Sequence, residues 1–173
     1  MKPATTVLFL SFACLAGACV EIDGGAVEIS WVIRSEAGSA ITDCGCADPE
    51  IAQVRLHLEG VDAAGNPIVD AAGNPIPGTR PCDGQAQCDF PCARQTGSTA
   101  FNIPETHGGD RYRVYLEAVG TNGVPLTPLQ VQTPAPILRE VVRGQPTEVA
   151  SIELVAGCAT ECQMNSSGVC SRP

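Results

Sequence analysis

Ten cysteines in a chain of 173 residues are the side chains best able to do chemistry, and their spacing selects among three uses. Two thiols one residue apart, Cys44-Gly45-Cys46, could exchange with a disulfide or hold a soft metal. Thiol oxidoreductases, however, carry C-x-x-C at a helix start in a βαβ setting, and neither the spacing nor the setting is present. Zinc asks for paired knuckles at short spacing, which Cys82, Cys88 and Cys92 do not supply. Cross-linking remains, and Cys44, Cys46, Cys82, Cys88, Cys92, Cys158, Cys162 and Cys170 form an even set that can pair completely. Three of these lie in the last stretch of chain, so full pairing sends at least one back to the body. Neighbours one residue apart close on each other only under strain, so Cys44 and Cys46 are expected to take different partners. One of the two is expected to reach the cluster at 82 to 92. A bridge across such a loop contributes about 3 to 5 kcal/mol in the chain-entropy picture.

The other candidates for chemistry are few. His57 falls on the polar face of an alternating run, where a solvated side chain is expected. His107 lies in Glu105-Thr106-His107-Gly108-Gly109-Asp110, which sets a carboxylate on each side of an imidazole. Such a group could ligate a metal or orient a base, although His, Asp and Gly are also ordinary turn residues. Asp62, Asn66, Asp70 and Asn74 are oxygen donors of the kind calcium takes, but they lack the closely alternating carboxylates of a calcium loop. No nucleophile elbow, phosphate-cradling loop or zinc-protease helix is present. The sequence therefore implies no catalytic residue, no cofactor and no metal centre.

The elements that would carry these residues read as strands. Val27, Ile29, Trp31 and Ile33 share one face against Glu28, Ser30 and Arg34. Val54, Leu56 and Leu58 alternate with Arg55, His57 and Glu59, and Tyr112, Val114, Leu116 and Ala118 with Arg111, Arg113, Tyr115 and Glu117. Near the end Ala150, Ile152 and Leu154 alternate with Val149, Ser151 and Glu153. Shorter runs at 98–103, 124–132 and 137–143 suit edge strands ended by prolines. Gly120-Thr121-Asn122-Gly123 suits a hairpin turn whose glycines supply positive φ. Residues 61–68 are repeated without change at 69–76, which suggests a tolerated slip of the coding sequence and one extended hairpin tip on the surface. Apolar residues at helical spacing are missing from every stretch of useful length, so the pattern predicts an all-β sandwich of about seven to eight strands.

The amino terminus has the order of an export signal. Lys2 precedes an uncharged run from Val7 to Leu15, and small residues lead to Cys19. Glu21 arrives too soon for a bilayer span of roughly 20 residues. Leu15-Ala16-Gly17-Ala18-Cys19 resembles the lipobox of bacterial lipoproteins, with leucine one place further back than usual. Ala16-Gly17-Ala18 also satisfies ordinary secretory cleavage at the same bond. Parity separates the two: a lipidated Cys19 leaves eight thiols to pair, and a free one leaves nine. Val20 rather than Asp follows the cysteine, which in such lipoproteins implies the outer membrane over the inner. The expected organisation is a signal peptide at 1–18, a lipidated start and short tether at 19–25, a sandwich at 26–156 and a cysteine-rich tail at 157–173.

Beyond the signal, nine arginines stand against nineteen acids, a side-chain sum of minus ten, with no basic cluster. That charge serves solubility, repels phosphate backbones and anionic lipid headgroups, and argues against nucleic acid as a partner. A chain of this length buries roughly two-thirds of its unfolded surface, so a real core is expected. With Trp31 on the first strand, cysteines on either side of the second, and Gly108-Gly109-Asp110-Arg111-Tyr112-Arg113-Val114-Tyr115-Leu116 leading into a late one, residues 26–156 resemble the immunoglobulin-like or transthyretin-like bodies of cysteine-rich bacterial lipoproteins. The resemblance implies an antiparallel sandwich and an envelope location, and brings no catalytic residues. The expected function is a non-catalytic, membrane-anchored binding or structural module facing an envelope protein. The alternative is a carbohydrate-binding module for an envelope glycan.

Overall fold

The computed structural model describes residues 22–41, 44–46, 50–157, 163–164 and 170–171. The signal segment, Cys19, Cys158 and Cys162 lie outside the described residues. Alternating burial along Ala26–Ser35 makes β1, followed by β2 (Ala40–Ile41), β3 (Ile51–Val61), β4 (Asp89–Pro91), β5 (Thr96–Ser98), β6 (Arg111–Gly120), β7 (Val131–Gln132), β8 (Ile137–Arg139), β9 (Pro146–Glu148) and β10 (Ile152–Ala156). Two further strands, β11 (Gln163–Met164) and β12 (Cys170–Ser171), pair with each other in the tail. No described helix is long and apolar enough to cross a membrane.

The expected all-β class holds, but the sandwich is not a clean immunoglobulin-like one. One sheet is antiparallel, in the order β4-β3-β6-β8. The other is a curled half-barrel built around β1, which pairs antiparallel with β5 and β2 and parallel with β9 and β10. The mixed pairing follows from the path of the chain. After β8 it passes through 141–145 to the start of β1, where the Ala26 N–H donates to Gln145 O at 3.1 Å, and it then runs alongside β1 in the same direction. The rest of the body serves as the crossover that a parallel pair needs.

Between β9 and β10 the expected alternation slips. Glu28 pairs with Glu148 and Trp31 with Ile152, so three residues, Val149 to Ser151, face only two on β1. The extra residue shifts the phase: Val149 is buried and Ala150 exposed, the reverse of the simple pattern. Along 27–33, 54–58 and 112–118 the expected alternation is kept, and one further irregularity lies between Ile51 and Gln53 at the start of β3. Trp31, Leu56, Leu116 and Leu154 are fully buried in one core shared by both sheets.

The tandem copies form two successive turns of the same design instead of one long tip. In the first, the Asp62 N–H donates to Asn66 O, Gly65 N–H to Asp62 O, and Ile68 N–H to Gly60 O. In the second, the bonds recur eight residues on, from Asp70 to Asn74 O, Gly73 to Asp70 O and Ile76 to Ile68 O. Gly65 and Gly73 take φ of 88° and 85°, which only glycine adopts freely. A third turn follows β6: Gly120 N–H to Val124 O, Gly123 N–H to Gly120 O, and Leu126 N–H to Ala118 O. Of the two glycines read as turn residues there, Gly123 takes positive φ and Gly120 does not.

That third turn exposes an internal repeat. Residues 55–68, RLHLEGVDAAGNPI, align without gaps on residues 113–126, RVYLEAVGTNGVPL, sharing Arg, Leu, Glu, Val, Gly and Pro at corresponding places. Each copy is a strand followed by the same turn, and the two strands pair antiparallel with His57 opposite Tyr115. A local two-fold axis therefore passes through that pair.

Because each eight-residue unit closes its own hydrogen bonds, removing residues 69–76 should leave the fold intact. The expected shift in thermal midpoint is no more than about 2 °C. Calorimetry on the deletion variant checks this, and a loss of cooperative unfolding would contradict it.

Candidate functional site

The outward face of the antiparallel sheet gathers the charged side chains of the alternating runs on β3 and β6. Antiparallel pairing sets Arg55 opposite Glu117, His57 opposite Tyr115 and Glu59 opposite Arg113. Opposite charges facing across strands are favourable, and the two-fold repeat guarantees them at both ends of the ladder. The two ends are not equally tight. Glu59, mostly buried, accepts from Arg113 at 2.7 Å and from Arg80 at 2.6 Å. Arg55 instead turns to Asp89 on β4, with Nε at 2.7 Å and a second bond at 3.3 Å, leaving Glu117 at 3.5 Å. The bond to Asp89 is the main cause that raises the Arg55 pKa, so its charge is fixed.

At the centre the His57 and Tyr115 rings stack, with centroids 4.7 Å apart and planes 6° apart. The His57 imidazole also lies 3.2 Å from Glu117 Oε2. His57 is thus a partnered side chain, not the freely solvated one its position suggested. Burial, then the nearby Glu59 carboxylate, pushes the Tyr115 phenol up. The ladder binds its own charges together, and its one aromatic pair is stacked face to face.

His107 lies elsewhere, at the pole where the chain enters β1. Its Nε2 is 3.6 Å from Glu105 Oε1 and its side chain is 76% exposed, while Asp110 meets it only as a backbone donor to His107 O. The three do not form a converging centre. Beside them is a cleft of about 360 Å³ lined by Gly60, Ile68, Gly78, Pro104, His107 and Tyr112. The Tyr112 hydroxyl lies 3.2 Å from Pro104 O and 3.4 Å from Gly78 O, and burial raises its pKa to about 12. No group of three or more His, Cys, Asp or Glu side chains able to hold a metal ion occurs among the described residues.

The possible calcium donors are occupied locally. Asp62 Oδ1 accepts from the backbone N–H of Ala64 and Asn66, and Asp62 Oδ2 from the Asn66 amide. Asp70 does the same with Ala72 and Asn74. Each carboxylate caps its own turn, and the backbone N–H of Asn66 or Asn74 is the first cause that lowers its pKa.

Among the cysteines, Cys44 is bonded to Cys92 and Cys82 to Cys88, with Cα separations of 6.1 and 5.6 Å. Cys46 sits in the same short helical turn as Cys44, and Cys170 lies in β12. Trp31 and Tyr112 point inward as expected. What the spacing alone did not reveal is the pairing of the ladder. The signal for it was the repeat of Arg-x-aromatic-x-Glu at 55–59 and 113–117, with His57 as the aromatic ring in the first copy. No protein-family model matches the chain, and no curated protein or solved structure matches it significantly.

Three outcomes test these contacts. Glu59→Gln should lower the unfolding free energy in urea by about 1 to 3 kcal/mol, because two guanidinium groups lose their shared acceptor. Arg34→Gln, which breaks the exposed pair with Glu153, should cost less than about 0.5 kcal/mol. Asp62 and Asp70 should titrate with midpoints below their ordinary 3.8. A depressed folded-state pKa means that the turns keep this stabilisation above 3.8 and lose it as pH falls through the lower folded value. The amide resonances of Asn66 and Asn74, followed by NMR during acidification, report it.

Proposed function

We propose that the chain is a non-catalytic extracytoplasmic lipoprotein module, anchored through acylated Cys19 and presenting its rigid surface to a protein of the envelope. One observation carries this reading: in the body, Cys44, Cys92, Cys82 and Cys88 are joined as disulfides. Disulfides suggest an extracytoplasmic protein, because the cytosol keeps thiols reduced. The ladder supports the same reading, since its charges neutralise one another across strands and do not converge on a cleft. Several acyl chains on one cysteine give stable anchoring where a single chain does not. Val20 after the cysteine favours the outer membrane.

The two bonded pairs also narrow the cysteine arithmetic. If all eight close, Cys46 must join one of Cys158, Cys162 and Cys170, which pins the tail to the body. A carbohydrate-binding module, the alternative use of such a body, needs exposed aromatic platforms. Among the described residues Trp31, Phe90 and Tyr112 are buried and His57 covers one face of Tyr115, which leaves Phe101 as a lone exposed ring and not a platform, so the aromatic inventory favours the protein-facing reading.

Intact-mass analysis of membrane-extracted protein tests the proposal. The expected result is an amino terminus at Cys19 carrying acyl mass, no alkylatable thiol, and a cross-linked peptide joining Cys46 to the tail. Protein with Met1 retained and its thiols open to alkylation would overturn it.

A further inference from the structure

We infer that the pole at which the chain enters β1 is a bilayer-docking face, held against lipid by Ile22, Phe101 and Val142. The inference rests on the proposed anchor at Cys19. Only three residue steps separate Cys19 from Ile22, and a fully extended chain spans at most about 3.6 Å per residue, so Ile22 sits within about 11 Å of the acylated sulfur's own Cα. So short a tether leaves the body no freedom to stand away from the membrane. Whatever surface surrounds Ile22 is brought to the headgroups.

Three large apolar side chains stand exposed on that surface beside the pair of Asp23 and Arg143, whose side chains meet at 4.0 Å. Ile22 and Phe101 are each 42% exposed, and Val142 is 47% exposed. They flank one another through the backbone. Gly24 N–H donates to Phe101 O on one side, and Gly144 N–H donates to Gly24 O on the other. Arg143 Nε donates to Ile22 O at 2.8 Å, fixing the segment next to Val142. Glycines at 24 and 25 permit the packing: a Cβ on Gly25 would meet Val141 Cγ1 at 2.6 Å.

The tandem turns project from the same pole. Tyr112, whose hydroxyl contacts Pro104 O, pairs with Gly60 at the end of β3, where the turns begin. They add Val69 and Ile76, exposed by 43% and 40%. Five of the eight large hydrophobic residues exposed among the described residues thus share this end of the body. Surface hydrophobics scattered singly need no explanation, but a group at the mouth of a short lipid tether does. The opposite pole, where Gly157 N–H donates to Gln130 O, carries Leu129 at 92% exposure and serves as the internal control. β1 runs between the two poles, and its ten residues span about 30 Å.

The test uses the acylated full chain in vesicles of phosphatidylethanolamine and phosphatidylcholine with brominated acyl chains, lipids that carry no net charge to repel the acidic body. Phe101→Trp and Leu129→Trp are compared, with the buried Trp31 as a constant background. An apolar face lying about 5 to 10 Å into the headgroup boundary should make quenching of Phe101→Trp at least about twofold stronger than that of Leu129→Trp, with a blue-shifted emission. Equal quenching in protein shown by mass to be acylated overturns the docking face and leaves the anchor standing. Blue shift without quenching places a second copy of the chain on the patch and also overturns it. Absence of acyl mass overturns the anchor and the docking face together.

Discussion

The fold depends on one closure, the bond from Cys44 to Cys92 beside Trp31. Cys44 follows β2 as the chain leaves the half-barrel for the antiparallel sheet, and Cys92 follows β4 as it returns. Two crossovers between sheets are tied at one point. The bond closes a loop of 48 residues, worth about 4 kcal/mol in the chain-entropy picture, against about 2 for the short loop between Cys82 and Cys88. Trp31 is organised by the same crossover. Its indole N–H donates to Cys92 O at 3.3 Å, its backbone N–H donates to Gln95 O, and its ring lies 6.3 Å from Phe90. Gln95 accepts a left-handed φ of 56° to make that turn, a strain that the surrounding bonds sustain.

The same crossover explains why an antiparallel sandwich did not form. A short β4 belongs to one sheet and β5 to the other, so the segment between them must change layers within a few residues. Gly97 on β5 allows it, because a Cβ there would meet the Phe90 ring at 2.6 Å. With β5 taking the first part of β1 on one side, the other side is left for the returning chain. β9 and β10 fill it in parallel, and the added residue at 149–151 absorbs the mismatch in register. The half-barrel's curl and its mixed direction thus share one origin.

Much of this was legible in the residues and some was not. The buried faces of β1, β3 and β6 follow from period-two alternation, since each strand lies fully between a core and solvent. Ala150 failed because a single inserted residue reverses every assignment upstream of it, and no local signal marks a bulge of that kind. The parallel pairing was invisible for a different reason: direction is set by where the chain returns, which depends on the loop at 141–145 and not on strand composition. His57 failed because alternation assigns a face but says nothing of the partner opposite. That partner was nevertheless encoded, in the second Arg-x-aromatic-x-Glu at 113–117.

The internal repeat shows why only one of its turns has multiplied. The two copies differ at Gly60 against Ala118, each five residues before the glycine of positive φ in its turn, Gly65 or Gly123. Gly60 donates to Thr79 O and accepts from Ile68 N–H on the part of β3 that extends past the short β4, so the chain leaving the turns passes directly over it. A Cβ at that place would meet Thr79 Cβ at 3.0 Å. Without a side chain at 60, the strand edge can receive both the turn and the returning segment, and extra units can be inserted between them. Ala118 offers Leu126 the same acceptor, but the chain beyond it departs towards β7 and does not come back over the alanine. Extension by whole eight-residue units therefore fits the copy after β3, where an edge without Cβ already closes the loop.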